Sequence, residues 1–114
     1  MKRLVSILIP TLFASSVFAQ SHVGDCTKKV AVEKARCERH EKMAEKCGPL
    51  KGEAHFVCDR EFLLANTLSC KPFIGAASAE CEAEVRAFKT CEPKQGREFM
   101  KCVKDTTGIS PMGH

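Results

Sequence analysis

Apolar positions after residue 25 recur at helical spacing and are interrupted at three prolines, in Gly48-Pro49, Lys71-Pro72 and Glu92-Pro93. A proline disfavours helix in the residue before it but suits the first turn of the next helix. The pattern therefore predicts four helices. Their expected ranges are Cys26 to Cys47, Pro49 or Gly52 to Ser69, Pro72 to Thr90, and Pro93 to Asp105.

The first predicted helix carries a stripe whose members are alternately four and three residues apart. Such spacing is typical of a helix face that packs against a neighbour. The expected inward positions are Cys26, Val30, Glu33, Cys37, His40, Ala44 and Cys47. Asp25 is the expected N-cap, and His55 is expected near the surface of the second helix.

The cysteines show that the chain contains an internal duplication. The segments 37–58 and 81–102 share Cys, Glu, Cys, Pro, Gly and Cys at the same offsets, and all eight cysteines obey a period of 44 residues. Such a period indicates a repeated supersecondary unit. Because the breaks between helices are short, we expect an all-α bundle of two antiparallel helical hairpins over residues 20–105.

The N-terminal 19 residues have the features of a secretory signal peptide. Lys2 and Arg3 precede an apolar run, and Val17-Phe18-Ala19 resembles a cleavage site. The expected product is a 95-residue chain in the periplasm or outside the cell, with no membrane span after cleavage. Residues 106–114 are expected to form a flexible tail.

The charge balance predicts no nucleic-acid partner. Without Lys2 and Arg3, 16 basic residues face 14 acidic ones, a net charge of +2. Large aliphatic residues are few, so burial alone would stabilise the fold weakly. In an exported chain, four disulfides would supply the missing constraint, each contributing about 3 kcal/mol in the chain-entropy model.

The predicted hairpins suggest a disulfide pairing. In an antiparallel hairpin, facing residues lie at equal distances from the turn. A turn near residue 48 and another near residue 92 would therefore place matching cysteines opposite each other, and bridged Cα atoms must lie within about 7 Å. The predicted bridges are Cys37–Cys58, Cys26–Cys70, Cys81–Cys102 and, by elimination, Cys47–Cys91.

The spacing also resembles that of a known family. Cys37 to Cys47 and Cys81 to Cys91 are Cys-x9-Cys pairs in helical hairpins, which resemble the twin Cys-x9-Cys (CHCH) proteins. The resemblance concerns architecture and implies no functional residue.

Two metal sites are alternative interpretations, one formed by cysteines and the other by residues near the chain termini. Four cysteines at one height of the bundle could form a thiolate site for zinc or Cu(I). Cleavage after Ala19 would create Gln20-Ser21-His22, whose amine, amides and imidazole suit Cu(II), and Met112 and His114 add further candidate ligands. Cyclisation of Gln20 would abolish the first set.

No catalytic motif supports an enzyme. The sequence has no Cys-x-x-Cys redox pair, and its helix-spaced carboxylates lie among lysines and arginines as ordinary surface pairs. We therefore expect a structural or binding protein of the bacterial cell envelope, with an unidentified protein partner and no cofactor. The alternative is a periplasmic copper-binding protein.

Overall fold

Four helices form the fold of residues 25–111, the part of the chain that the computed structural model describes. They are α1 (Ala31–Cys47), α2 (Gly52–Ala65), α3 (Gly75–Cys91) and α4 (Gly96–Thr107), and a short 3-10 turn (Cys26–Lys28) precedes α1. No strand occurs within these residues. The predicted all-α class and the helical hairpins are confirmed.

The helices begin in one shared way that the prolines did not reveal. The residue before each helix is extended, and the first helical residue has a positive φ: 52° at Ala31, 61° at Gly52, 61° at Gly75 and 47° at Gly96. Glycine adopts such angles without steric cost, whereas an alanine there is strained. The chain therefore reverses at these residues, and the extended segment after each proline leads up to the reversal.

The predicted disulfide pairing is wrong. The predicted bridges Cys26–Cys70, Cys37–Cys58, Cys47–Cys91 and Cys81–Cys102 are absent. The four bridges of the structure are Cys26–Cys37, Cys47–Cys58, Cys70–Cys81 and Cys91–Cys102.

The physical reason for this error is the position of the turn. Each bridge joins cysteines 11 positions apart, with Cα atoms 5.6–5.8 Å apart. The positive-φ residue lies near the midpoint of each pair, so the first hairpin reverses at Gly52 and not at Gly48-Pro49. The prediction places the first turn four residues too early, has no reversal at Ala31 and pairs no cysteines across the break at Pro72. Together these errors give every cysteine the wrong partner.

The bonded unit is Cys-x4-(Gly or Ala)-x5-Cys, and it occurs four times, beginning at Cys26, Cys47, Cys70 and Cys91. The period of 44 residues found in the sequence thus contains two such units. In the first unit, Ala31 replaces the glycine, and Lys28 stands where the other units have a proline.

Several helix boundaries also differ from the prediction. α2 ends at Ala65 and not at Ser69, and α3 and α4 begin three residues after Pro72 and Pro93. Residues 26–28 form the 3-10 turn, which Asp25 caps by accepting a hydrogen bond from the backbone N–H of Thr27 at 3.0 Å. At the other end, α4 continues to Thr107 and Pro111 is fully buried, so the chain is packed well beyond Thr106.

The inward face of α1 is shifted by one or two residues from the predicted stripe. Val32, Arg36, Arg39 and Met43 are buried together with Cys37 and Cys47. The predicted Val30 is instead 72% exposed. Cys26, Cys37 and Cys47 are buried as predicted. Within α1, Val32, Arg39 and Met43 take the inward places expected for Glu33, His40 and Ala44.

All four helices contribute to one apolar core. Its buried members are Met43, Cys47, Leu63, Ala87, Phe88, Cys91, Phe99 and Val103. Within each hairpin the two helices touch, and between the hairpins α2 packs on α4 and α1 packs on α3. No helix of the described residues is both long enough and apolar enough to cross a membrane.

A buried ion cluster joins α1 to α3. Glu84 accepts hydrogen bonds from Arg39 at 3.0 and 3.1 Å and from Arg36 at 3.2 Å. Arg36 also binds Glu80 at 2.8 Å, and Arg39 reaches the backbone carbonyl of Pro111 at 3.3 Å. The cluster connects the two hairpins and the C-terminal segment, a role that the prediction gave to the bridge Cys47–Cys91.

Candidate functional site: the cleft between α2 and α4

A cleft of about 320 Å³ opens between α2, α4 and the segment after α4. Its lining residues are His55, Phe56, Asp59, Arg97, Met100, Lys101, Lys104, Ser110 and Pro111. Small-molecule pockets range from about 300 to 1,000 Å³ and combine apolar walls with a few polar groups. We refer to this feature as the α2/α4 cleft.

The walls of the cleft are mostly apolar. The Phe56 ring, Met100 and the fully buried Pro111 supply these surfaces. The guanidinium of Arg97 lies 4.6 Å from the centroid of the Phe56 ring, which is the distance of a cation–π contact. This contact holds α4 against α2 at one side of the opening.

The cations of the cleft lie toward solvent. Arg97, Lys101 and Lys104 are all exposed, on the first three turns of α4. Lys101 forms an ion pair with Asp105 at 2.6 Å, and this hydrogen bond raises the pKa of Lys101. An apolar interior with cations at its mouth suits a ligand that has an apolar body and an anionic end.

The polar group in the interior is the carboxylate of Asp59, which is 1% exposed. Burial raises the pKa of Asp59, and the nearby His55 partly opposes this effect. Asp59 follows Cys58, so the bridge Cys47–Cys58 fixes the backbone beside it. The neighbouring Arg60 donates instead to the backbone carbonyls of Lys94 and Glu92, in the turn before α4.

His55 lies one helical turn before Asp59, and its two ring nitrogens have different partners. Nδ1 lies 2.9 Å from the carbonyl oxygen of Cys47, and Nε2 lies 3.1 Å from Oδ2 of Asp59. Because a carbonyl oxygen only accepts, Nδ1 must carry a proton. Nε2 and Oδ2 are within ion-pair distance but lack hydrogen-bond alignment, so Oδ2 has no hydrogen-bond donor within residues 25–111.

Ser110, His55 and Asp59 line the same cleft but do not form a serine-type catalytic triad. In such a triad the histidine uses one nitrogen for the acid and the other for the serine hydroxyl. Here the second nitrogen of His55 binds the Cys47 carbonyl. The arrangement supports binding more readily than nucleophilic chemistry.

Sequence reasoning did not find this site. It placed His55 near the surface of the second helix, whereas His55 is half-buried in the cleft. Asp59 received no role, although the spacing of four residues between His55 and Asp59 places both on one helix face. Most of the other lining residues come from α4 and the segment after it, and no local sequence pattern indicates that these residues contact α2.

The alternative of a thiolate metal site is not formed, because all eight cysteines are in disulfides. No group of three or more His, Cys, Asp or Glu side chains between residues 25 and 111 could hold a metal ion. Gln20, Ser21, His22, Met112 and His114 lie outside the described residues, as does the expected signal peptide. The copper alternative at these residues stays a prediction.

No match to a family model, a curated protein or a solved structure was found for this chain. The four helices and four stapling disulfides agree with the general architecture that the resemblance to CHCH proteins implied. The bonded pairs are nevertheless 11 positions apart, so the Cys-x9-Cys pairs that suggested the resemblance are not the disulfides.

Proposed function

We propose that this chain is an exported, disulfide-stabilised binding protein of the bacterial cell envelope, and that its ligand binds in the α2/α4 cleft. The ligand class is a small organic anion with an apolar body. The observation that carries this proposal is the combination of apolar walls, formed by Phe56, Met100 and Pro111, with exposed cations at the mouth of the cleft.

Export is supported by the four disulfides together with the signal-like N-terminus. Disulfides persist in oxidising compartments such as the periplasm and are rare in the cytosol. With every cysteine of the chain bonded, the fold depends on an environment that keeps thiols oxidised.

The disulfides also suit a binding role because they hold the walls of the cleft in place. Cys58 in α2 directly precedes Asp59, and Cys102 in α4 directly follows Lys101. Cys47–Cys58 and Cys91–Cys102 therefore fix the two helices that form the cleft. A preformed site loses less conformational entropy when a ligand binds, which raises affinity.

Charge at the mouth of the cleft would select the ligand. Lys104 has no anionic partner within residues 25–111, and Arg97 contacts the face of Phe56 and no carboxylate. An anionic group entering the mouth would meet both of these cations, while its apolar body would displace water from the walls.

The test is a fluorescence titration of the purified, oxidised protein with 8-anilinonaphthalene-1-sulfonate, followed by displacement with octanoate. We expect saturable binding of the probe and its release by octanoate. Lys104→Glu should weaken octanoate binding about tenfold, the effect of roughly 1.4 kcal/mol. Lys46→Glu makes the same charge change on α1, away from the cleft, and should leave the affinity unchanged.

Two results would refute the proposed site. One is the absence of saturable binding by both the probe and octanoate. The other is an equal loss of affinity in Lys104→Glu and Lys46→Glu, which would show that the net charge of the protein, and not the cleft, attracts the anion.

A further inference from the structure

The buried carboxylate of Asp59 points to a second requirement for the ligand. Asp59 is 1% exposed and lines the α2/α4 cleft. Its Oδ2 atom is buried and has no hydrogen-bond donor among the described residues. Burial of a polar acceptor without a donor costs free energy, which a ligand that supplies the donor would recover.

His55 does not satisfy this oxygen. Its Nδ1 is held 2.9 Å from the carbonyl oxygen of Cys47, and this contact sets the orientation of the ring. In that orientation Nε2 comes within 3.1 Å of Oδ2 without the alignment of a hydrogen bond. Rotating the ring toward Asp59 would break the contact with Cys47, so the donor must come from elsewhere.

The other charged groups of the cleft do not supply the donor. Arg97 contacts the Phe56 ring, and Lys101 is paired with Asp105. Lys104 lines the same cleft but makes no hydrogen bond to Oδ2. Arg60 is next to Asp59 in sequence, but its guanidinium binds Glu61 and the backbone carbonyls of Glu92 and Lys94.

We infer that the ligand of the α2/α4 cleft carries a hydroxyl or amine group on its apolar body, and that this group donates a hydrogen bond to Oδ2 of Asp59 while the anionic end lies among the cations at the mouth. The inference rests on the proposed function. It further specifies that the end of the ligand inside the cleft carries a hydrogen-bond donor. The class is that of ω-hydroxy and ω-amino carboxylic acids, or larger molecules with the same two ends.

The experiment compares matched acids on the full oxidised protein. Octanoate, 8-hydroxyoctanoate and 8-aminooctanoate, together with the corresponding six-carbon acids, displace bound 8-anilinonaphthalene-1-sulfonate. For the chain length that fits best, we expect an acid with a terminal donor to bind about 5- to 10-fold more tightly than the plain acid, the effect of one net hydrogen bond.

Asp59→Leu removes the acceptor and keeps a side chain of similar size. In this variant the preference should disappear, so that the donor-bearing acid and the plain acid of the same length bind with equal affinity. Glu41→Leu, an exposed carboxylate on α1, is the matched control and should keep the preference. If Asp59→Leu does not fold, the carboxyl-carbon NMR signal of Asp59 in the wild-type protein replaces it. That signal should shift further with the donor-bearing acid than with the plain acid.

The outcomes separate the two proposals. If no acid binds to the wild-type protein, the proposed function is wrong and this inference falls with it. Three other results would mean that the cleft binds anions but that Asp59 accepts no hydrogen bond from the ligand. These are equal affinities for all the acids, a preference that survives in Asp59→Leu, and an equal response of the Asp59 carboxyl signal to both acids.

Discussion

Two buried carboxylates, Glu84 and Asp59, lie in very different surroundings. Glu84 is 4% exposed and accepts hydrogen bonds from Arg36 and Arg39. Asp59 is 1% exposed, and its one ion-pair partner within residues 25–111 is His55, without an aligned hydrogen bond. The first carboxylate joins the two hairpins, whereas the second contributes no comparable contact to the fold.

This difference distinguishes a structural charge from a functional candidate. A buried charge with several donors is compensated, and its role can be understood from its contacts. A buried carboxylate without donors destabilises the protein, and such groups occur most often where they serve binding or catalysis. Asp59 also lines the α2/α4 cleft, which is why we infer that the ligand supplies its hydrogen-bond donor.

The largest effect is expected at the ion cluster. Glu84→Ala leaves Arg36 and Arg39 buried without their main partner, and should lower the free energy of unfolding by about 3–5 kcal/mol. Urea unfolding with intact disulfides measures this change. Glu82→Ala, at an exposed position of the same helix, should cost less than about 0.5 kcal/mol. Similar losses in both variants would show that the cluster does not hold the hairpins together.

Removal of a disulfide is expected to have a smaller effect on stability. Two disulfides of equal loop length should differ, however, in their effect on Asp59. Replacing either Cys47 and Cys58 or Cys70 and Cys81 by alanine should cost about 3 kcal/mol, because both bridges close loops of the same length. Only the first replacement loosens the backbone beside Asp59.

Displacement of the fluorescent probe by octanoate, measured on both double variants, tests this distinction. Octanoate should bind weakly to the variant without Cys47–Cys58 and with unchanged affinity to the variant without Cys70–Cys81. Equal affinities in the two folded variants would contradict the idea that Cys47–Cys58 preorganises the cleft.

The smallest effect concerns the charge of Asp59. Burial raises the pKa of Asp59 in the folded protein, so ionisation of this group opposes folding. The stability that the wild-type protein gains from a neutral Asp59 is fully present below the unfolded-state pKa of this group. It is lost as the pH rises through the raised pKa of the folded state. Asp59→Asn stays neutral and should therefore become relatively more stable than the wild-type protein across that interval.

Melting temperatures of the two proteins between pH 3 and pH 7 provide the measurement. The difference should grow in favour of Asp59→Asn with rising pH and then level off. A difference that stays constant, or that reverses in sign, would mean that His55 compensates the ionised carboxylate fully.

Much of the fold could be predicted from the sequence, since prolines and helical periodicity are local signals. Cys47 ends α1 as expected, and α3 ends at Cys91, one residue after the predicted Thr90. Phe99 and Val103 of α4 face the core. The start of α1 was missed because Ala31 gives no sign of its positive φ. The glycines at 52, 75 and 96 were such a sign, each five residues after one cysteine and six before the next.

The sequence by itself determined the all-α class, the duplication and the need for disulfides, because these depend on composition and on patterns within a few turns of helix. Only the tertiary structure decided the pairing of the cysteines, the Arg39–Glu84 contact and the meeting of Asp59 with α4. Each of these depends on where the chain reverses. A reversal point misplaced by four residues, as at Gly52, or missed altogether, as at Ala31, changes which side chains face each other.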